Sequence, residues 1–63
     1  SMQTIAVQID GKTRAEITAP AGATKEFVEK SARDSVSARL DGKSVARTIF
    51  VPGRIVNFVL TKE

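Results

Sequence analysis

The 63-residue sequence contains no cysteine, no histidine, no tryptophan and no tyrosine. Without cysteine there can be neither a disulfide nor a thiolate metal site. Without histidine the commonest metal ligand and the commonest general base are both missing. Ser31, Ser35, Ser37 and Ser44 therefore have no imidazole to activate them as nucleophiles. Asp10, Asp34 and Asp41 fall at turn and cap positions and lack the spacing of a calcium loop. No catalytic site, no metal and no cofactor is expected. Long apolar runs are missing too: nothing approaches the roughly 20 residues needed to cross a bilayer. The first residues carry neither the basic nor the apolar region of a signal peptide, so no membrane partner is expected. A reducing, cytoplasmic setting fits the absence of cysteine.

What is present is ordinary globular material. Apolar residues make up 41% and charged residues 27%, which is too hydrophobic and too balanced for a disordered chain. The length suffices for one domain, which buries only about 60% of the surface its unfolded chain exposes. Ser1-Met2 reads as a remnant of an expression tag, with residues 3–63 as the single domain. The net charge is +3 and unevenly spread. Residues 1–41 hold six bases and six acids, whereas residues 42–62 hold Lys43, Arg47, Arg54 and Lys62 and no acid. A one-sided positive surface attracts polyanions; the competing reading is a solvated surface that confers solubility.

Periodicity gives the elements. Ile5, Val7 and Ile9 alternate with Ala6, Gln8 and Asp10, the pattern of a strand buried on one face. Asp10-Gly11 supplies the positive φ of a tight hairpin turn. Lys12 to Thr18 alternates again, with Thr13, Ala15 and Ile17 inward and Lys12, Arg14, Glu16 and Thr18 outward. After the loop around Pro20 and Gly22, Thr24 is placed to cap a helix and Glu26 to favour its dipole. Phe27, Val28, Ser31 and Ala32 lie at helical spacing toward a sheet, and Lys25 can pair with Glu29 on the wet side. Asp34 and Ser35 prefer caps to helix interiors, so a second short helix carrying Val36 and Leu40 is expected, ended by Asp41-Gly42. Ser44 to Val51 reads as a third strand, with Val45, Ile49 and Val51 on one face. Arg47 falls on the same parity, so the strand either frays there or contains a bulge. Pro52-Gly53 turns the chain, and Arg54 to Leu60 is a fourth strand, apolar on both parities, as a central or doubly covered strand would be. The predicted fold is α+β: a small β-β-α-α-β-β sandwich in which two antiparallel hairpins form a sheet with two short helices on one face.

Two stretches, Asp10-Gly11-Lys12-Thr13 and Asp41-Gly42-Lys43-Ser44, end like a phosphate-binding P-loop. That loop needs a further glycine five residues earlier, where Ala6 and Ser37 stand, and it runs from a strand into a helix, which neither stretch does. Both are read as turns. Phe27 and Phe58 are placed in the core, while Phe50, opposite in parity to Ile49 and Val51, is expected to be partly exposed. One exposed aromatic makes no stacking platform for single strands, so any RNA would be held by shape and phosphates.

Gly42-Lys43-Ser44-Val45 followed by Ile49-Phe50-Val51-Pro52-Gly53-Arg54-Ile55-Val56-Asn57 resembles the closing segment of bacterial leucyl-tRNA synthetases. Val7-Gln8-Ile9-Asp10-Gly11-Lys12-Thr13-Arg14 and Ala23-Thr24-Lys25-Glu26 resemble earlier parts of it, so the likeness covers nearly all of residues 5–60. The resemblance implies a C-terminal domain tethered to the parent synthetase by a flexible linker. It would contact the elbow of leucine tRNA, where the D and T loops meet, while the ATP-dependent ligase and editing sites lie in other domains. On this basis Lys12, Arg14 and Arg54 match basic positions of the family, Arg47 falls where a base is common, and Lys43 belongs to the acid-free stretch. These five are the candidate RNA contacts. Ala46 and Glu16 stand where the family often has arginine and lysine. For Lys12 and Arg14 a plain solvated strand face is the alternative to RNA contact, and Asn57 is read as satisfying backbone. The rival function is a protein-interaction module that docks through a sheet edge.

Overall fold

The computed structural model describes residues 1–62. It contains strands β1 (Met2–Ile9) and β2 (Lys12–Pro20), helices α1 (Lys25–Ser35) and α2 (Ser37–Leu40), and strands β3 (Val45–Val51) and β4 (Ile55–Leu60). Glu63, placed in a polar tail by its sequence, lies outside the described residues. The four strands form one sheet in the order β2-β1-β4-β3. Both hairpins are antiparallel, and they join through a parallel β1–β4 pair at the centre. The edge strands β2 and β3 therefore run in the same direction, and α1 and α2 make the crossover between them over one face. No described helix is long and apolar enough to cross a membrane.

The alternation of β1 survives in three dimensions: Ile5, Val7 and Ile9 are buried beneath the helices. From β4, Val56 and Phe58 join them. The helices contribute Val28, Ala32, Val36 and Leu40, one residue per turn along a single stripe. Phe27, expected in this core, is 51% exposed. It sits about 100° around the helix from Val28 and lies instead over the loop residues Pro20 to Thr24. The cap at Thr24 forms as expected, its Oγ1 accepting the Phe27 N–H at 3.1 Å. Strand β1 begins at Met2, which pairs with Pro20, and the Ser1 carbonyl accepts the Ala21 N–H at 2.8 Å. The two residues set apart as a tag remnant thus extend the first hairpin.

The helices do part after Ser35, but not through the caps the sequence suggested. The Ser35 hydroxyl donates back to the Ala32 carbonyl at 2.6 Å, and Asp34 pairs with Lys30 at 3.3 Å. The break is at buried Val36, whose φ of −120° and ψ of 22° leave the helical region. Its carbonyl starts α2 by accepting the N–H groups of Arg39 and Leu40. Gly42, at φ 77°, ends that turn.

Two bulges interrupt the sheet. In β3 the register slips between Val45, opposite Leu60, and Arg47, opposite Val59. Residues paired across strands share a face, so Val45 turns toward the helices with Thr48 and Phe50, while Arg47, Ile49 and Val51 occupy the open face. The expected grouping of Val45 with Ile49 and Val51 is therefore corrected, and Phe50 is half-buried against the core. In β2 the slip comes between Ala15, opposite Val7, and Thr13, opposite Gln8. Arg14 is the extra residue. Beyond it the faces exchange: Thr13 turns outward with Gln8, and Lys12, opposite Ile9, turns to the helix side. Ala15 and Ile17 keep the inward positions expected of them, and Ala19 extends their row.

Candidate nucleic-acid interface

The bulge in β2 builds a corner where basic side chains gather. Where the β1–β2 turn, the short α2, the α2–β3 loop and the end of β4 converge, they enclose a cleft of about 370 Å³. Its walls are Lys12, Arg14, Arg39 and Lys43, with Asp10 at the hairpin tip and Ile9 and Leu60 beneath. A second hollow shares Asp10, Lys43 and Leu60 with it and extends past Ser44 to Lys62. A regular β2 would point Lys12 and Arg14 away from the helices. The inserted residue brings both side chains into a space that α2 also reaches.

This corner is held by side chains as well as by the ladder. Asp10 occupies the left-handed region at φ 50°, and Gly11 follows at 82°, a conformation suited to a two-residue hairpin. The Asp10 N–H donates to the Phe58 carbonyl at 2.9 Å, and Asp10 Oδ1 accepts the Leu60 N–H at 3.0 Å. Gly11 N–H donates to Asn57 Oδ1 at 3.1 Å, which is the backbone role read for Asn57 from sequence. The loop on the other side is tied in by Thr61 N–H donating to the Ser44 carbonyl at 2.8 Å.

The ion pairs among the described residues lie elsewhere. Lys25 and Glu29 are 3.9 Å apart and Lys30 and Asp34 are 3.3 Å apart, both along α1. The charges of α1 thus compensate one another, whereas those of the cleft do not. Arg33 is also committed, its guanidinium lying over the Phe58 ring at 5.2 Å, where it shields the core.

Of the five candidate residues, Lys12, Arg14 and Lys43 meet in this cleft. Arg47 lies on the open face of the sheet, and Arg54 lies in the β3–β4 turn, at the other end of β4. Arg54 is four residues before Phe58, which aligns with Ile9, so its backbone is roughly 13 Å along the strands from Ile9 and roughly 17 Å from Asp10 at the hairpin tip. Arg39 was not among the candidates. It follows Val36 and precedes Leu40 in a four-residue helix, and local pattern gave it no role beyond a solvated position. Its value comes from the crossover, which sets α2 above the first hairpin's tip.

No protein-family model matches the chain. A leucine–tRNA ligase of Crocosphaera subtropica is 52% identical over 61 residues, covering 94% of this chain and 7% of its own length. That of Chlorobaculum tepidum is 49% identical over 62 residues, covering 95% and 8%. That of Synechocystis is 48% identical over 60 residues, covering 92% and 7%. The chain thus spans less than a tenth of the length of these relatives. Among solved structures, it superposes on the agnB2 LeuRS of Agrobacterium radiobacter K84, from its ternary complex with tRNA and LeuAMS, with a TM-score of 0.89 and 28% identity. The match covers 98% of this chain and 8% of that one. By sequence and by fold alike, the chain is the homologue of one small segment of leucine–tRNA ligases.

Proposed function

We propose that this chain is the C-terminal tRNA-binding module of a cytoplasmic leucyl-tRNA synthetase. It grips the elbow of leucine tRNA and helps position that tRNA for aminoacylation and editing carried out elsewhere on the parent ligase. The observation that carries this reading is the cleft in which Lys12, Arg14, Arg39 and Lys43 converge without ion-pair partners among the described residues. Four cations on a rigid corner can neutralise neighbouring phosphates of one RNA backbone, and phosphate contacts fix register without reading sequence. Such contacts yield binding energy remote from the reacting atoms, which serves catalysis by orienting the substrate. Arg54, at the far end of β4, would meet a separate stretch of the same RNA. The module's affinity alone should be low, because a linker to the parent normally keeps the tRNA at high effective concentration.

The test is direct titration of this chain with whole leucine tRNA and with an acceptor-stem minihelix that lacks the elbow, over a range of salt. Whole tRNA should bind more tightly, and log K should fall linearly with log salt. Equal affinity for the two RNAs would exclude elbow recognition, and an affinity indifferent to salt would exclude phosphate contact. A second reading, docking of a protein through the β3 edge, draws on Ile49 and Val51, each 40% exposed on that strand. A tight protein partner together with no RNA affinity would favour it.

A further inference from the structure

The cleft holds one acid among its cations, and the acid is unexplained by the site as described. Asp10 lines both the main cleft and its extension toward Lys62. Its place at φ 50° and its bond to the Leu60 N–H account for its backbone and for Oδ1. Asparagine would serve both of those purposes, since it tolerates the left-handed region equally well and its amide oxygen accepts in the same way. What asparagine lacks is a second acceptor. Oδ2 of Asp10 is in no hydrogen bond or ion pair among the described residues, and the residue is exposed to the cleft. A free carboxylate repels phosphate, so at a polyanion site it is useful only toward a donor. The donor that RNA carries beside every phosphate, and that DNA lacks, is the ribose 2′-hydroxyl. Four cations around one fixed acceptor match a ribose–phosphate unit better than they match phosphate alone.

Resting on the reading of this cleft as an RNA site, we infer that Asp10 accepts a hydrogen bond from a ribose 2′-hydroxyl through Oδ2 and so selects RNA over DNA. Lys12, Arg14, Arg39 and Lys43 supply affinity without regard to the sugar. Asp10 supplies the discrimination at some expense of affinity. A hydrogen bond to a charged acceptor corresponds to roughly a tenfold preference.

The experiment uses this chain and leucine tRNA annealed from two synthetic halves. The D- and T-loop riboses are left as 2′-hydroxyl, or are all 2′-O-methyl, or all 2′-deoxy. A 2′-O-methyl group keeps the ribose in its RNA form but cannot donate. The expected result is roughly tenfold weaker binding to both altered RNAs than to the hydroxyl form. In Asp10→Asn, binding to all three should strengthen through the lost negative charge, while the gap between them should shrink to about twofold or less. Equal binding of the hydroxyl and methyl forms by the unaltered chain would overturn the inference, because the sugar's shape would then be all that is read. A full gap persisting in Asp10→Asn would overturn it too, because steric conflict or RNA refolding would be its source. Absence of salt-dependent binding to any of the three would remove the RNA reading itself, and this inference with it.

Discussion

Asn57 and Asp10 clasp the tip of the first hairpin to the last strand from opposite sides, one accepting from the hairpin and the other from the strand. Each bond is exposed, so each should contribute at the low end for a protein hydrogen bond. Asn57→Ala is expected to cost about 1 kcal/mol, seen as a lower denaturant midpoint with an unchanged slope. Gly11→Ala should cost a similar ~1–2 kcal/mol for a different reason. Nothing lies within 4 Å of a Cβ added there, but its φ of 82° strains any L side chain. The two aromatics whose burial was expected make a contrasting pair. Phe58, wholly buried under Arg33, should lose about 3–5 kcal/mol on truncation to alanine, whereas half-exposed Phe27 should lose under about 1 kcal/mol. Thermal melts of the two variants check this, and equal losses would contradict the placement of Phe27.

At the level of elements, much was legible because the signals were local. The alternation in β1, the Asp10-Gly11 turn, the Thr24 cap and the Gly42 stop all act within a few residues, and each appears as read. Both Gly-Lys stretches are turns that open onto strands. At Arg47 the sequence offered fraying or a bulge; a bulge is present, with Ala46 as its extra residue, and it re-aims Val45 while Arg47 stays with Ile49 and Val51. The bulge at Arg14 left no such trace. The residues at and before it, Lys12, Thr13 and Arg14, are all polar and fit an inward or an outward position equally well at a sheet edge. With it went the direction of Lys12. Arg39 was hidden for a related reason: a four-residue helix is too short to carry a periodic signature, and only the crossover decides what it stands above. The bulge can be probed directly. Deleting Arg14 should restore a regular ladder with Lys12 still opposite Ile9 on the helix side, so tRNA binding should weaken about as far as in Arg14→Ala. A chemical-shift map of the β1–β2 ladder would show whether the Gln8–Thr13 and Ile9–Lys12 pairs are kept.

The molecule as a whole separates its surfaces by charge. The helix-side corner gathers cations from three parts of the chain, α1 compensates its own charges, and the open face of the sheet is largely uncharged apart from Arg47 and Glu16. If tRNA is held at the corner, Arg14→Ala and Arg39→Ala should each lower the slope of log K against log salt by roughly 0.7–0.9. Arg54→Ala should weaken binding less than either. None of the three should move the melting temperature by more than a degree or two, since none is buried and none is in an ion pair among the described residues. A large stability loss in any of them would instead mark that arginine as structural.

The parallel pairing of β1 with β4 has a mechanical corollary. It sets the first residues of the chain at one end of the sheet and the last at the other, beside the basic corner. A pull between an N-terminal tether and a load gripped at that corner runs along the central strands. It shears their rungs together instead of unzipping them singly. The domain should therefore resist stretching in this direction better than its size suggests, and it should peel apart at lower force when drawn from the two edge strands.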